Sequence, residues 1–388
     1  MKKLLLALTF FLVTSHPLFA IEGGYKEGLT LQSDDGHYSL KTNLFLQFQH
    51  QFLHVDGQGS TNSFQIRRGR ICFGGNAFVQ ELTYRFEFEF VGGLTNNVSP
   101  ANAVTGPNLR DGYVNYDLGN GFEIKLGQFK VPFNFEELVS DTQQQFADRS
   151  MTNDTFTFNR DLGLNLHGRV LDKKLEYNLF AANEGNNQNT FNKNNMMLLG
   201  SRVAYNLLGD HGYTTSDPEN SSEPQLMVGA AENFNRVGAP TAADMSVISM
   251  TGDAAFRYHG ISAFGAGYYS RNQSASTNTF GFSGQTGYFL FPEHLEVIGR
   301  FNTVLPTGGV TKGYEVGGGL ASYFKGHRLK AILDYNVLIN SPLVLDTNGA
   351  AAPAGVNNPG NIVTTGGAPG FVQGQNDHRV RTQLQVVF

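Results

Sequence analysis

The chain has no tryptophan and a single cysteine, Cys72, in 388 residues. One thiol excludes an internal disulfide, and its place inside an alternating segment far from the N-terminus excludes a lipoprotein anchor. Charge is sparse, with Asp, Glu, Lys and Arg at 16% of residues. No ligand spacing suits a metal, no glycine-rich loop suits a nucleotide and no basic patch suits nucleic acid. No cofactor, metal or nucleic-acid partner is therefore expected. Beyond the first twenty residues there is no apolar run of the roughly 20 residues that a spanning helix requires. A membrane protein of this composition has to cross with strands.

What is present fits that route. Met1, Lys2 and Lys3 form a basic head, Leu4 to Val13 an apolar run, and Leu18-Phe19-Ala20 a cleavage site. Residues 1–20 therefore read as a secretory signal peptide, cut after Ala20. Losing Lys2 and Lys3 leaves 26 basic against 33 acidic residues, a net charge of −7. Glycine (46), Phe (32) and Tyr (15) are abundant, so Tyr and Phe must form the interfacial girdles of a barrel without Trp.

The last twelve residues show the principle. His378, Val380, Thr382, Leu384, Val386 and Phe388 share one parity; Arg379, Arg381, Gln383 and Gln385 share the other. Lipid demands apolar side chains at every second position, and a wet lumen accepts polar ones. Glu81 to Val91 is the cleanest case, with Leu82, Tyr84, Phe86, Phe88 and Phe90 opposite Glu81, Thr83, Arg85, Glu87 and Glu89. After a short polar arm at 21–37, sixteen such segments run from Tyr38 to Phe388, and short connections alternate with long Gly/Asn/Ser-rich ones. The expected fold is all-β: a transmembrane antiparallel β-barrel over 38–388 with 16 strands, short periplasmic turns and long external loops. Three stretches fit less well. Val131 to Asp161 has no sustained period, Leu207 to Pro224 is long for a periplasmic turn, and Ser246 to Arg257 alternates poorly.

Several short pieces resemble the phosphate-selective porins of the porin O and P type. They include Phe64-Gln-Ile-Arg-Arg-Gly-Arg70, Leu109-Arg-Asp-Gly-Tyr-Val-Asn-Tyr116, Gly127-Gln-Phe-Lys-Val-Pro-Phe133 and Gly200-Ser-Arg-Val-Ala-Tyr205. Gly287-Tyr-Phe-Leu290, Tyr323-Phe-Lys-Gly-His327 and Asp334-Tyr335 follow in the family's order. The resemblance implies a homotrimeric porin, not an enzyme, with a lumen narrowed by an inward-folded third external loop, here 131–161. Members of the family pass small anions such as phosphate, but the resemblance does not imply phosphate selectivity for this chain. It also implies a bacterial outer membrane of lipid and lipopolysaccharide. A terminal aromatic, here Phe388, resembles the signal read by the barrel-assembly machinery.

Anion selection needs guanidinium or ammonium groups along a narrow, partly desolvated path. Lumen parity nominates Arg68, Arg70, Arg85, Lys125, Arg169, Lys174, Arg202, Arg300, Lys330, Arg379 and Arg381; Lys130 stands at the root of the long loop. The plain alternative is that polar barrel walls carry charge regardless, paired with neighbouring carboxylates. Arg67 has the wrong parity, so it belongs at the rim or at a bulge. Glu136, Glu137 and Asp141 in the long loop oppose anion selection if they face the pore. A general diffusion porin with weak or cation selectivity is the main alternative. An outer-membrane enzyme is disfavoured because His167, His259, His327 and His378 have no triad spacing, and an adhesin barrel would differ only in lacking conductance.

Overall fold

The computed structural model describes residues 21–25, 28–91, 107–183, 192, 196–237, 245–341, 343–345, 351–353 and 370–388. The proposed signal peptide lies outside them. Sixteen antiparallel strands form the barrel. They are β1 (Ser39–Val55), β2 (Gly59–Ala77), β3 (Val79–Glu89), β4 (Asn108–Gly119), β5 (Phe122–Lys130), β6 (Arg160–Val170), β7 (Leu175–Ala182) and β8 (Leu198–Leu208). Then come β9 (Gln225–Val237), β10 (Met245–Tyr258), β11 (Ile261–Asn272), β12 (Thr277–Phe291), β13 (Leu295–Pro306), β14 (Gly313–Lys325), β15 (Leu329–Ile339) and β16 (Asp377–Val387). The sheet closes as the end pattern predicts, with β16 between β15 and β1: Gln385 faces Gln47, and Arg381 faces Gln51.

Alternation decides which way each strand faces. In β12, Phe280, Phe282, Tyr288 and Leu290 are exposed on the outside, while Ser283 and Gln285 are buried inside. In β3, Phe86 is outside, as is Phe90 just beyond its end, and Glu87 and Glu89 are inside. β10, whose sequence alternates poorly, still pairs along its whole length with β9 and β11. Its inner face carries small residues, Ser249, Thr251, Asp253 and Ala255, that dilute the pattern.

The rim carrying both ends of the barrel is the periplasmic one, and its turns are tight. Asn120-Gly121 and His259-Gly260 both take positive φ at each position, which fits the twist of a two-residue hairpin. The exception is 209–224 between β8 and β9. Ahead of β1, Leu29–Ser33 pairs with Ile21–Tyr25 and also with Ser39–Thr42 at the start of β1, on the edge that β16 leaves uncovered. Phe388 ends beside this hairpin, exchanging backbone hydrogen bonds with Leu44.

Candidate functional site

The third external connection, residues 131–159 (hereafter L3), lies inside the barrel. Pro132 removes a donor from the ladder, and the amide of Val131 donates to the carbonyl of Asn159 to close the root (2.8 Å). Asn134 caps α1 (Phe135–Leu138) by accepting from the amide of Glu137 (2.7 Å), and Ser150 caps α2 (Met151–Phe156) by accepting from that of Asn153 (3.0 Å).

One face of L3 is apolar. Val131, Phe133, Phe135, Val139, Met151, Phe156 and Phe158 are buried in a cluster with Met227, Phe264 and Tyr268 of the wall. Phe135 lies 5.4 Å from Phe264, and Phe156 stacks on Tyr268 at 5.1 Å between centroids. Each such ring contributes about 1.5–3 kcal/mol relative to an exposed one. A second patch, around Phe146, includes Phe289, Ile298 and Tyr323. Gly281 and Gly287 of β12 make this approach feasible: a Cβ at Gly281 would strike the Phe156 ring, and one at Gly287 would strike Gln145 and Glu296.

The other face of L3 is ionic. Asp148 receives Arg67 (2.8 Å), Arg68 (3.2 Å) and Arg381 (3.1 Å). Asp141 receives Arg70 (2.6 Å), and Arg149 binds it as well. Burial alone would raise the Asp141 carboxyl; Arg149, Arg68 and Arg70 more than reverse this and hold it well below the usual carboxylate range. Asp148 is held down in the same way by Arg67, Arg68 and Arg381. At Glu136 burial wins: it raises the carboxyl despite the amide (2.7 Å) and hydroxyl (2.6 Å) of Ser150, from which it accepts, and the charges of Arg300 and Arg149. Lys130 donates to the carbonyls of Glu137 (2.6 Å) and Val139 (3.0 Å), tying the root of L3 to its first helix.

Two slips in register supply the missing parity. Gln47 pairs with Arg68 and Phe48 with Ile66, so Arg67 is the extra residue of a bulge and reaches Asp148. Glu87 pairs with Asp111 and Phe88 with Leu109, leaving Arg110 as the extra residue in β4; its Nε is buried with no hydrogen-bond partner among the described residues.

Between L3 and the wall of β4 to β7 a cavity of about 320 Å³ stays open, lined by Tyr113, Glu123, Lys125, Leu138, His167 and Glu176 among others. Lys125 lies over the Tyr113 ring at 4.9 Å. Among the described residues it has no carboxylate within ion-pair distance. Asn115 links Glu123 (2.7 Å) and His167 (2.8 Å), which fixes both on the open wall.

The phosphate-selective porin O and P family matches residues 40–242, more than half of the chain. The chain belongs to this family. No curated protein sequence matches it. Among solved structures, the outer membrane channel DcaP of Acinetobacter baumannii is similar at 10% identity and a TM-score of 0.59, covering 92% of this chain and 99% of that one. The anion-selective porin from Comamonas acidovorans is similar at 15% identity and a TM-score of 0.57, covering 90% and 100%. The in-vitro folded, trimer form of the Vibrio cholerae outer membrane protein OmpT is similar at 10% identity and a TM-score of 0.52, covering 89% and 99%. These likenesses show a shared barrel. Family and fold are those of an outer-membrane channel rather than an enzyme.

Within this porin the sequence candidates fall into three groups. Arg68, Arg70, Arg300 and Arg381 hold L3 or its partners. Arg300 pairs with Glu315, donates to the Asp148 carbonyl (2.8 Å) and lies over the Phe146 ring. Arg202 is bidentate to Asp253 (2.7 and 2.8 Å) and donates to the Phe133 carbonyl (2.8 Å). Arg169 and Arg379 sit apart from L3, paired with Asp210 and Asp377. Lys125 and Lys130 both line the open cavity without an ion pair among the described residues, but Lys130 spends its ammonium on L3 carbonyls. Glu136, Glu137 and Asp141 turn towards L3's own groups and the arginines rather than into that cavity. The sequence did not single out Asp148 and Arg160, which bind at long range, or Arg149, which binds within L3; only the inverted parity of Arg67 hinted at such an anchor.

Proposed function

We propose that this porin forms a water-filled path for passive diffusion of small ions and solutes, running between L3 and the β4–β7 wall, with only weak charge selectivity. One observation carries this reading: Arg68, Arg70, Arg202, Arg300 and Arg381 are each matched by carboxylates or carbonyls of L3 and the wall. An arginine already holding carboxylates offers few free N–H groups to a passing anion. The open wall instead mixes Lys125 with Asp111, Glu123 and Glu176. A second reading, anion selectivity extending to phosphate, is favoured by Lys125 and by the unpartnered Nε of Arg110, and by the family's name.

The deciding measurement is the reversal potential across a planar bilayer in a salt gradient, repeated with phosphate competing against chloride. A small potential indifferent to phosphate supports the diffusion channel. Block of chloride current by millimolar phosphate, a concentration range typical of weak binding, establishes the second reading instead. Absence of conductance refutes both.

The same proposal covers biogenesis and assembly. Residues 1–20 export the chain, the barrel-assembly machinery inserts it among outer-membrane lipid and lipopolysaccharide with Phe388 as its signal, and three copies associate. Deleting Phe388 should lower the yield of heat-modifiable folded protein while export continues; unchanged yield refutes the signal. Cross-linking in the membrane should give trimers.

A further inference from the structure

Residues 209–224 are the one long connection on the periplasmic rim, and they do not hang from it. Thr214 to Pro218 are buried. Tyr213 donates its hydroxyl to Glu176 of β7 (2.8 Å) and sets its ring 5.7 Å from Phe135 of L3. The hydroxyl oxygen of Thr215 accepts from the amide of Gln145 (3.0 Å), and its proton is directed at the carbonyl of Gln143 (3.2 Å), both on L3. Ser216 donates to Glu296 of β13 (2.9 Å) and accepts from the hydroxyl of Tyr323 on β14 (2.9 Å). Asp217 then turns the chain back, accepting from Ser221 and from the amide of Gly260 in the β10–β11 turn (2.9 Å).

Four residues and the side chains they meet thus join the β7 wall to the β13–β14 wall. A segment attached at one wall would only line the rim; one fixed at both walls lies across the lumen. Its middle rests on L3, which is tied to the same floor through Gln145 and Glu296 (2.5 Å).

We propose that residues 209–224 form a crossbar, a second pore-narrowing element that works with L3 to set the size limit of solutes leaving at the periplasmic mouth. L3 narrows the lumen from the external side. The crossbar shuts the β8–β13 sector from below, and solutes must pass beside Tyr213 and Glu176. This inference rests on the diffusion-channel reading.

The test replaces residues 210–224 with Asn-Gly, which joins β8 to β9 by a tight hairpin. Single-channel conductance should rise by about twofold, the order expected when a water-filled constriction widens, and liposomes should swell faster in a trisaccharide. Wild-type conductance and swelling from a folded, heat-modifiable barrel would overturn the crossbar. Should that variant not fold, Ser216→Ala combined with Tyr323→Phe decides, since it loosens only the β13–β14 end. Faster trisaccharide entry supports the crossbar, and unchanged entry overturns it. A wild-type protein that conducts nothing refutes the channel itself, whereas a conducting wild type with unaltered variants refutes only the crossbar.

Discussion

The two sides of the lumen obey the same parity rule and end with different tasks. From β8 round to β2 the inner wall is covered by L3, and its arginines serve as anchors. From β4 to β7 the wall stays open, and its lysine, histidine and carboxylates meet water. Arg68 and Lys125 look equivalent as sequence: each is basic, on a strand, on lumen parity. Arg68 meets Asp148, 80 positions away in the chain, and Lys125 meets an aromatic ring and the cavity. What a lumenal charge does is decided by whether a loop carboxylate arrives at it.

The comparison breaks most sharply at Asp148. Asp148→Ala leaves Arg67, Arg68 and Arg381 without their shared acceptor and should destabilise the barrel by about 3–5 kcal/mol, the range for removing one partner of a buried ion pair. Denaturant unfolding monitored by loss of heat-modifiable mobility would show it, together with noisier channel current as L3 loosens. Gly287→Ala should cost about 1–3 kcal/mol, because its methyl collides with Gln145 and Glu296. Gly284→Ala, where an added Cβ would meet only the Phe301 carbonyl oxygen at 3.9 Å, an ordinary van der Waals distance, should leave the transition unmoved.

On the open side the expected effects move to transport. Lys125→Glu should leave unfolding unchanged and shift the reversal potential towards cations, with a permeability ratio altered by about twofold to tenfold at low salt. A comparable shift from Arg68→Gln, without loss of stability, would erase the distinction between the two sides. The smallest effect is expected on acidification. Asp141 and Asp148 have depressed values in the folded state, so their stabilisation is complete above the unfolded carboxylate value of about 3.9 and is lost only as pH falls through their lower folded values. The Asp141 and Asp148 anchors should therefore hold from neutral pH to about 4, and channel noise from their loss should appear only below that.

The strands were legible because lipid imposes a period of two on every crossing segment. Their number, their order and the meeting of β16 with β1 follow from that pattern and from the alternation of short and long connections. The bulges at Arg67 and Arg110 break the period by one residue, so parity assigned Arg67 the wrong face except as a bulge and gave no reason to choose Arg110. The anchors were illegible for another cause. Asp148 lies in a stretch with no period, and its partners sit 80 and 233 positions away; nothing local couples them. The inward path of 209–224 was hidden likewise, because length alone marked it as unusual for a turn without saying where it goes.

The small hairpin ahead of β1 bears on how the seam is finished. β1 spans seventeen residues and β16 eleven, so the first strand outruns its closing partner at the periplasmic rim. Unpaired strand edges template the addition of foreign strands, and the periplasm is where unfolded neighbours are delivered. Leu29–Ser33 occupies that edge and leaves Phe388 flanked by paired backbone. A chain shortened to residue 37 would still close its barrel yet present a sticky ledge at the seam, and its penalty would surface as co-aggregation in a crowded envelope rather than as lower stability in a test tube.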